Sequence, residues 1–426
     1  MPARHLPVRP DLDQLRHQAK DLLRAIRRGD PDALADLKQY HSEAIDPARV
    51  KLGDAQLVLA RSYQAPSWPR LVLACALVDA IWRDDATAVR KIVLQNPQVL
   101  HEDALVRRNS NWGPPLTYAA NLGRDRIITM LHEMGATDLQ SALGRAALQS
   151  RIGTARMLHE MLGRPVPRVG SLGGPAYTLS TSATALLFEL GATVYDEDGK
   201  PSAPVDVVLE TDSRNPAAKH AILEMYAEHG FVLPDTPVMA VHRGRVDLLE
   251  RHLQRDPALL RQTFGYTDIF PPSLGCHDES YPRTSLDGVT LLHVCVEFDE
   301  LEIAQWLLER GMNPDQPAAV DAQGFGGHTA LFTAVVCYAN FWRNFTGGWA
   351  HTRKPNDSPF ARLLLDRGAN PNARASLRER IYTDGQLIET REHRDITPIG
   401  WGTLFHNKMV VSEPAMRMIA NHGGAA

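Results

Sequence analysis

A chain of 426 residues is long enough for two or three globular domains or for one extended repeat array, and 44% apolar with 23% charged residues is the composition of a folded chain rather than a disordered one. The formal net charge of −4, from 46 basic against 50 acidic residues, lacks the basic excess of a phosphate-neutralising protein, so nucleic acid is not the expected partner. No run approaches the roughly 20 apolar residues that span a bilayer. The first fifteen residues hold no secretory apolar core, and Cys75, Cys276, Cys295 and Cys337 form no C-x-x-C pair; a reducing compartment, the cytoplasm, is expected.

The chain opens on an amphipathic helix. Leu12, Leu15, Ala19, Leu22, Leu23 and Ile26 make an apolar stripe, with Arg16, Lys20, Arg24 and Arg27 on the other face. A second helix is expected from Asp54 to Tyr63, then a sharp turn at Pro66-Ser67-Trp68-Pro69. An end of an array needs a polar outer face, so residues 1–70 read as a helical N-terminal cap. From residue 71 a helix-pair grammar recurs. Val78 to Leu100 ends its second helix at Asn96-Pro97; Trp112 to Ala136 carries Gly123 after its first helix and Gly135 after its second. Leu143 to Gly163 and Ala176 to Gly191 are weaker copies, and Thr236 to Leu253 is a good one that ends on Asp256-Pro257. Proline cannot continue a helix, so these endings replace the stop glycine.

The clearest unit, Asp287 to Asp315, reads DGVTLLHVCVEFDELEIAQWLLERGMNPD. Thr290 is placed to cap the first helix, Leu301, Ile303, Trp306, Leu307 and Leu308 repeat at helical spacing on the second, and Gly311 stops it. This unit resembles the ankyrin repeat closely, as does LLLDRGANPNA at Leu363 to Ala373. The resemblance implies an all-α ankyrin-repeat α-solenoid with short β-hairpin fingers, about nine helix pairs over residues 71–424, and a histidine, His293, that bonds within and between repeats. It also implies recognition of a protein partner through the concave surface and finger tips, with no cofactor.

Three insertions in the C-terminal half leave the pattern, near residues 261–285, 340–358 and 374–394. The third carries Asp384-Gly385 between alternating residues, which predicts a β-hairpin. The first two are rich in aromatic residues, the side chains from which binding hot spots are made. Candidate binding residues are therefore Tyr266, His277, Asp278 and Tyr281 in the first insertion and Phe341, Trp342, Trp349 and His351 in the second. The alternative is that the rings fold back and seal the array's own groove. No phosphate loop, dinucleotide fingerprint, nucleophile elbow or zinc-protease helix is present. Cys276-His277-Asp278-Glu279 is chemically dense, but four successive residues cannot all converge on one ion, so ligands such as His328, His351 or His393 would have to join it. No metal or catalytic site is assigned. The rival to a binding scaffold is an enzyme or small-ligand protein whose enclosed pocket gathers His277, Asp278, Trp342 and His351.

Overall fold

The computed structural model describes residues 4, 6–41, 45–106, 110–277, 282–344, 351–353, 357–383 and 386–426; of residues 342–344 and 351–353 only the backbone is described. The chain packs as two units, Met1–Pro165 and Val166–Ala426, and each is taken by itself.

In the first unit, α1 (Leu12–Arg27) buries Leu15, Ala19, Leu22 and Ile26, as the stripe predicts, and is capped by the Asp11 carboxylate. A helix that the sequence reading passed over, α2 (Pro31–Tyr40), precedes α3 (Leu52–Ser62). Asp30 caps α2 and Pro31 opens it, the residue pair that pre-organises a first turn. Three helix pairs follow: α4 (Trp68–Trp82) with α5 (Ala86–Gln95), α6 (Pro115–Leu122) with α7 (Asp125–Glu133), and α8 (Leu139–Leu148) with α9 (Ile152–Met161).

In the second unit, α10 (Gly173–Tyr177) pairs with α11 (Thr181–Glu189), α12 (Val205–Glu210) with α13 (Pro216–Glu228), and α14 (Pro237–His242) with α15 (Val246–Arg255). The single-turn α16 (Tyr266–Ile269) lies in the first insertion, ahead of α17 (Leu291–Glu297) with α18 (Leu301–Glu309). Then α19 (Ala330–Val335) and α20 (Pro359–Asp366) flank the second insertion, whose strands β1 (Trp342–Asn344) and β2 (His351–Arg353) pair antiparallel. The predicted hairpin is β3 (Ala375–Thr383) with β4 (Gln386–Ile396), antiparallel and bulged near both ends, and α21 (Pro398–Leu404) with α22 (Glu413–Asn421) closes the chain. Among the described residues the helix pairs number nine.

One backbone device makes the pairs alike. After the first helix a residue at φ between 51° and 68° turns the chain, at Asp84, Gly123, Ser150, Leu179, Gly244 and Asp299, and the second helix begins two residues later each time. The next amide then reaches back to the same helical carbonyl: Asp85 N–H to Ala80 O, Arg124 to Ala119, Arg151 to Ala146, Ser180 to Pro175, Arg245 to Ala240 and Glu300 to Cys295. Only two of the six positions are glycine. The closing hydrogen bond, worth about 0.5–1.5 kcal/mol net, offsets much of the ~1–2 kcal/mol that a side chain costs in this conformation.

Candidate functional site

A helix on the surface of an array keeps one polar face. Two first helices of the second unit do not: every residue of α17 and of α19 is buried. Their cover is the first insertion, which crosses four consecutive first helices. The His242 Nε2–H on α14 donates to Ile269 O at 3.1 Å, and Phe270 packs against Phe298, just past α17, at 5.8 Å between ring centroids. Arg283 reaches Glu297 of α17 at 3.1 Å, and the Thr284 hydroxyl donates to Val336 O, just past α19, at 2.7 Å. Trp401 of α21 donates its indole N–H back to Thr284 Oγ1 at 2.9 Å. The described aromatics Phe264 and Phe270 are thus core.

Beneath the strap lies a fully buried carboxylate. Glu297 receives Arg214 Nη2 at 3.0 Å, Arg283 Nη1 at 3.1 Å and the Tyr338 N–H at 3.2 Å, while Arg214 and Arg283 lie over the rings of Phe298 and Phe270. Beside it Glu300 Oε1 stands 2.8 Å from both Lys219 Nζ and His220 Nε2. Burial pulls the Lys219 ammonium below its ordinary range, with Glu300 working against that shift. Buried charges persist when they are paired and hydrogen-bonded; this network ties α13, the strap and α17 together.

On the finger side of this unit lies a cleft of about 670 Å³. Its walls are Gly265–Thr267, Arg283 and Ser285 of the first insertion, and Leu377, Arg378, Arg380 and Tyr382 of the third, with Phe325 and His328 between them. Successive fingers join by backbone: Phe264 pairs with Val289, Ala319 N–H donates to Gly288 O, and Gly326 pairs with Ser376 at the foot of β3. Alternation in β3 then assigns its faces. Leu377, Glu379 and Ile381 are buried, with Glu379 accepting the His406 N–H at 2.6 Å and the His393 Nε2–H at 3.3 Å. Arg378 stacks on Phe325 at 3.8 Å and pairs with Asp321. The imidazole of His328 donates Nε2–H to Ser285 O, and burial pushes its pKa down to about 4, so it is neutral.

Of the residues picked from the sequence, Tyr266 lines this cleft, packing on Phe270 at 4.9 Å between centroids. Phe341 lies edge-on to Tyr338 at 6.0 Å, against the core. The His277 side chain is 80% exposed, while its backbone N–H donates to Glu210 Oε1 at 2.6 Å. Trp342 and His351 sit on β1 and β2, where the backbone alone is described; Asp278, Tyr281 and Trp349 lie outside the described residues. His328 and His393 are engaged elsewhere, and no cluster of His, Cys, Asp or Glu among the described residues has metal-site geometry. It is the first and third insertions that meet in the cleft. The reading missed Arg378, Arg380 and Tyr382, whose alternation along the predicted hairpin was the available signal.

The repeat signature is visible in atoms. His293 Nδ1 accepts the Thr290 N–H at 3.3 Å and its hydroxyl at 2.9 Å, while Nε2–H donates to His328 O of the following repeat at 3.0 Å. The cap expected from Thr290 alone is therefore made with the histidine. No helix among the described residues is long and apolar enough to cross a membrane. The family model for the ankyrin repeat matches residues 287–319. No curated protein matches the chain in sequence. Among solved structures, the chain is similar to the human ASB11 ankyrin repeat domain, with 19% identity over 60% of this chain and 99% of that one at a TM-score of 0.29. It is also similar to the ankyrin repeat domain of Bcl-3, with 17% identity over 65% and 97% at 0.22. Both likenesses are distant, whereas residues 287–319 carry the Thr-x-Leu-His bonding of the repeat in full; the chain contains an ankyrin repeat.

Proposed function

We propose that this chain is a recognition scaffold that holds a protein partner on the finger side of its second unit, in the cleft between the first and third insertions. Ankyrin repeats are in general protein–protein interaction modules. The observation that carries the placement is the strap: with Ile269, Phe270, Arg283 and Thr284 laid across α14, α17, α19 and α21, a partner seeking those four helices would have to expel part of the core. The cleft suits the role in its chemistry. Tyr266, Tyr382, Arg283, Arg378 and Arg380 line it without a lysine, and tyrosine and arginine are the residues enriched at interface hot spots. Phe325 stacking and the Asp321 and Glu297 carboxylates hold Arg378 and Arg283 in place, so little freedom is lost when a partner docks.

The test is affinity capture from an extract of the cell of origin, comparing the native chain with the double variant Tyr266→Ala, Tyr382→Ala. Loss of a specific partner with helicity intact is the expected result, since truncated anchors commonly cost ~2 kcal/mol or more each. Normal capture by a folded double variant places the binding surface elsewhere.

A further inference from the structure

We infer that the first unit carries a second recognition point, a receptor for an oxyanion on a partner protein, built from Arg145, Arg151 and Gln149 with Arg124 beside them. The four residues share no linear motif; the fold brings them to the end of α6. Arg145 on α8 donates Nε–H to the Asn121 side chain at 2.7 Å, and Arg151, at the turn after α8, donates Nε–H to the Asn121 carbonyl at 3.3 Å. Arg124 follows Asn121 by three residues and donates to Trp82 O at 2.6 Å. The partners these guanidiniums have are thus neutral: two backbone carbonyls, the Asn121 amide and, for Arg145, the ring of Trp112 at 5.8 Å to its centroid. Among the described residues none of the three is ion-paired, whereas Arg70, Arg243, Arg310 and Arg378 each meet a carboxylate.

The donor count points the same way. Arg124 Nε, Arg145 Nη2 and Gln149 Nε2 are enclosed and have no acceptor, and Gln149 is 7% exposed. Gln149 follows Arg145 by four residues, so the two share a face of the helix end. Burial pulls the Arg145 guanidinium down, with no neighbouring charge contributing. A partly buried guanidinium is costly without its counter-charge, and unmet donors ask for acceptors. Among the described residues this site has planar donors and positive charge, and no anion meets them. A carboxylate or a phosphate group matches that fork geometry. The competing role is plain capping, in which Arg124 and Arg151 only complement the carbonyl ends of α4 and α6. The inference concerns a different surface from the cleft, so the two tests can fail separately.

The experiment is fluorescence anisotropy of the full chain at low ionic strength with three labelled probes: hexaglutamate, a hexamer containing three phosphoserines, and hexalysine. At least one anionic probe is expected to bind saturably, hexalysine is not, and affinity should fall as salt rises. A preference for the phosphoserine probe assigns the oxyanion to a modified partner, and one for hexaglutamate to acidic side chains. Arg151→Gln should weaken binding at least about ten-fold, whereas Arg126→Gln, at an exposed arginine of α7, should not. Arg145→Gln should act like Arg151→Gln if its circular dichroism is native; Arg151 is exposed, so its variant is decisive even if the other unfolds. Absence of binding by both anionic probes overturns the inference and leaves the capping role. So does equal loss in the Arg126 and Arg151 variants, or no loss in the latter.

Discussion

Phe270→Ala tests whether the first insertion belongs to the core. Phe270 is 2% exposed; its ring meets Tyr266 and Phe298 at 4.9 and 5.8 Å between centroids and carries Arg283 over it at 5.3 Å. Truncating a buried phenylalanine costs about 3–5 kcal/mol through lost transfer energy and the cavity left behind, and an aromatic pair is worth about 0.5–1.5 kcal/mol beyond the area it buries. In a unit of this size a loss of 1 kcal/mol lowers the melting temperature by about 2–4 °C, so a fall of roughly 6–20 °C is expected. Calorimetry gives the melt, and hydrogen exchange gives the place: the amides of α14 and α17 should lose protection before those of α22. Leu387→Ala, at a residue 52% exposed on β4, should change stability by no more than about 0.5 kcal/mol. A Phe270→Ala chain that melts within about 1 kcal/mol of native, with α14 and α17 still protected, refutes the strap as core.

Three further outcomes follow from the same contacts. Glu297→Ala leaves the Arg214 and Arg283 guanidiniums buried without their carboxylate and should cost about 3–5 kcal/mol by denaturant titration. Gly311, at φ 89° with open space where a Cβ would stand, should lose only about 1–2 kcal/mol of stability to backbone strain as Gly311→Val, whereas a Cβ on Gly326 would collide with the Ala319 carbonyl oxygen, so Gly326→Ala should be the worse of the two. His293 and His328 are neutral in the fold, their pKa values pushed by burial from the ordinary 6.5 down to about 3 and about 4. The unfolded chain therefore binds the extra protons: stability is intact above pH 6.5 and falls as pH drops towards 4, by up to about 1.4 kcal/mol per pH unit for each imidazole, and His328→Gln should flatten that slope.

Much of the fold was legible because an ankyrin repeat writes its geometry locally. Thr290 and His293, the glycines at 123, 135, 244 and 311, and the proline endings at 97 and 257 mark positions where one residue type suffices. The turns at Asp84, Ser150, Leu179 and Asp299 carried no such mark, since there the backbone hydrogen bond rather than the side chain imposes the conformation. Helix α2 was legible in principle from Asp30-Pro31. The candidate site was less so. Aromatic residues in an insertion look alike whether they await a partner or fill the unit's own core, and Ile269 and Thr284, which help fix this insertion across the first helices, are unremarkable in sequence. Arg124, Arg145, Gln149 and Arg151 are brought to one helix end by tertiary packing, which no periodicity announces.

The central claim, that partners dock on the finger-side cleft and not on the helices, is tested most directly by site-specific photo-crosslinking during capture from the native extract. A photoreactive side chain replaces Tyr382, on the cleft wall, in one chain and Gln305, exposed on α18, in another. The account predicts a discrete covalent adduct from position 382 that position 305 does not give. An adduct from position 305 alone, or the same adduct from both, contradicts it.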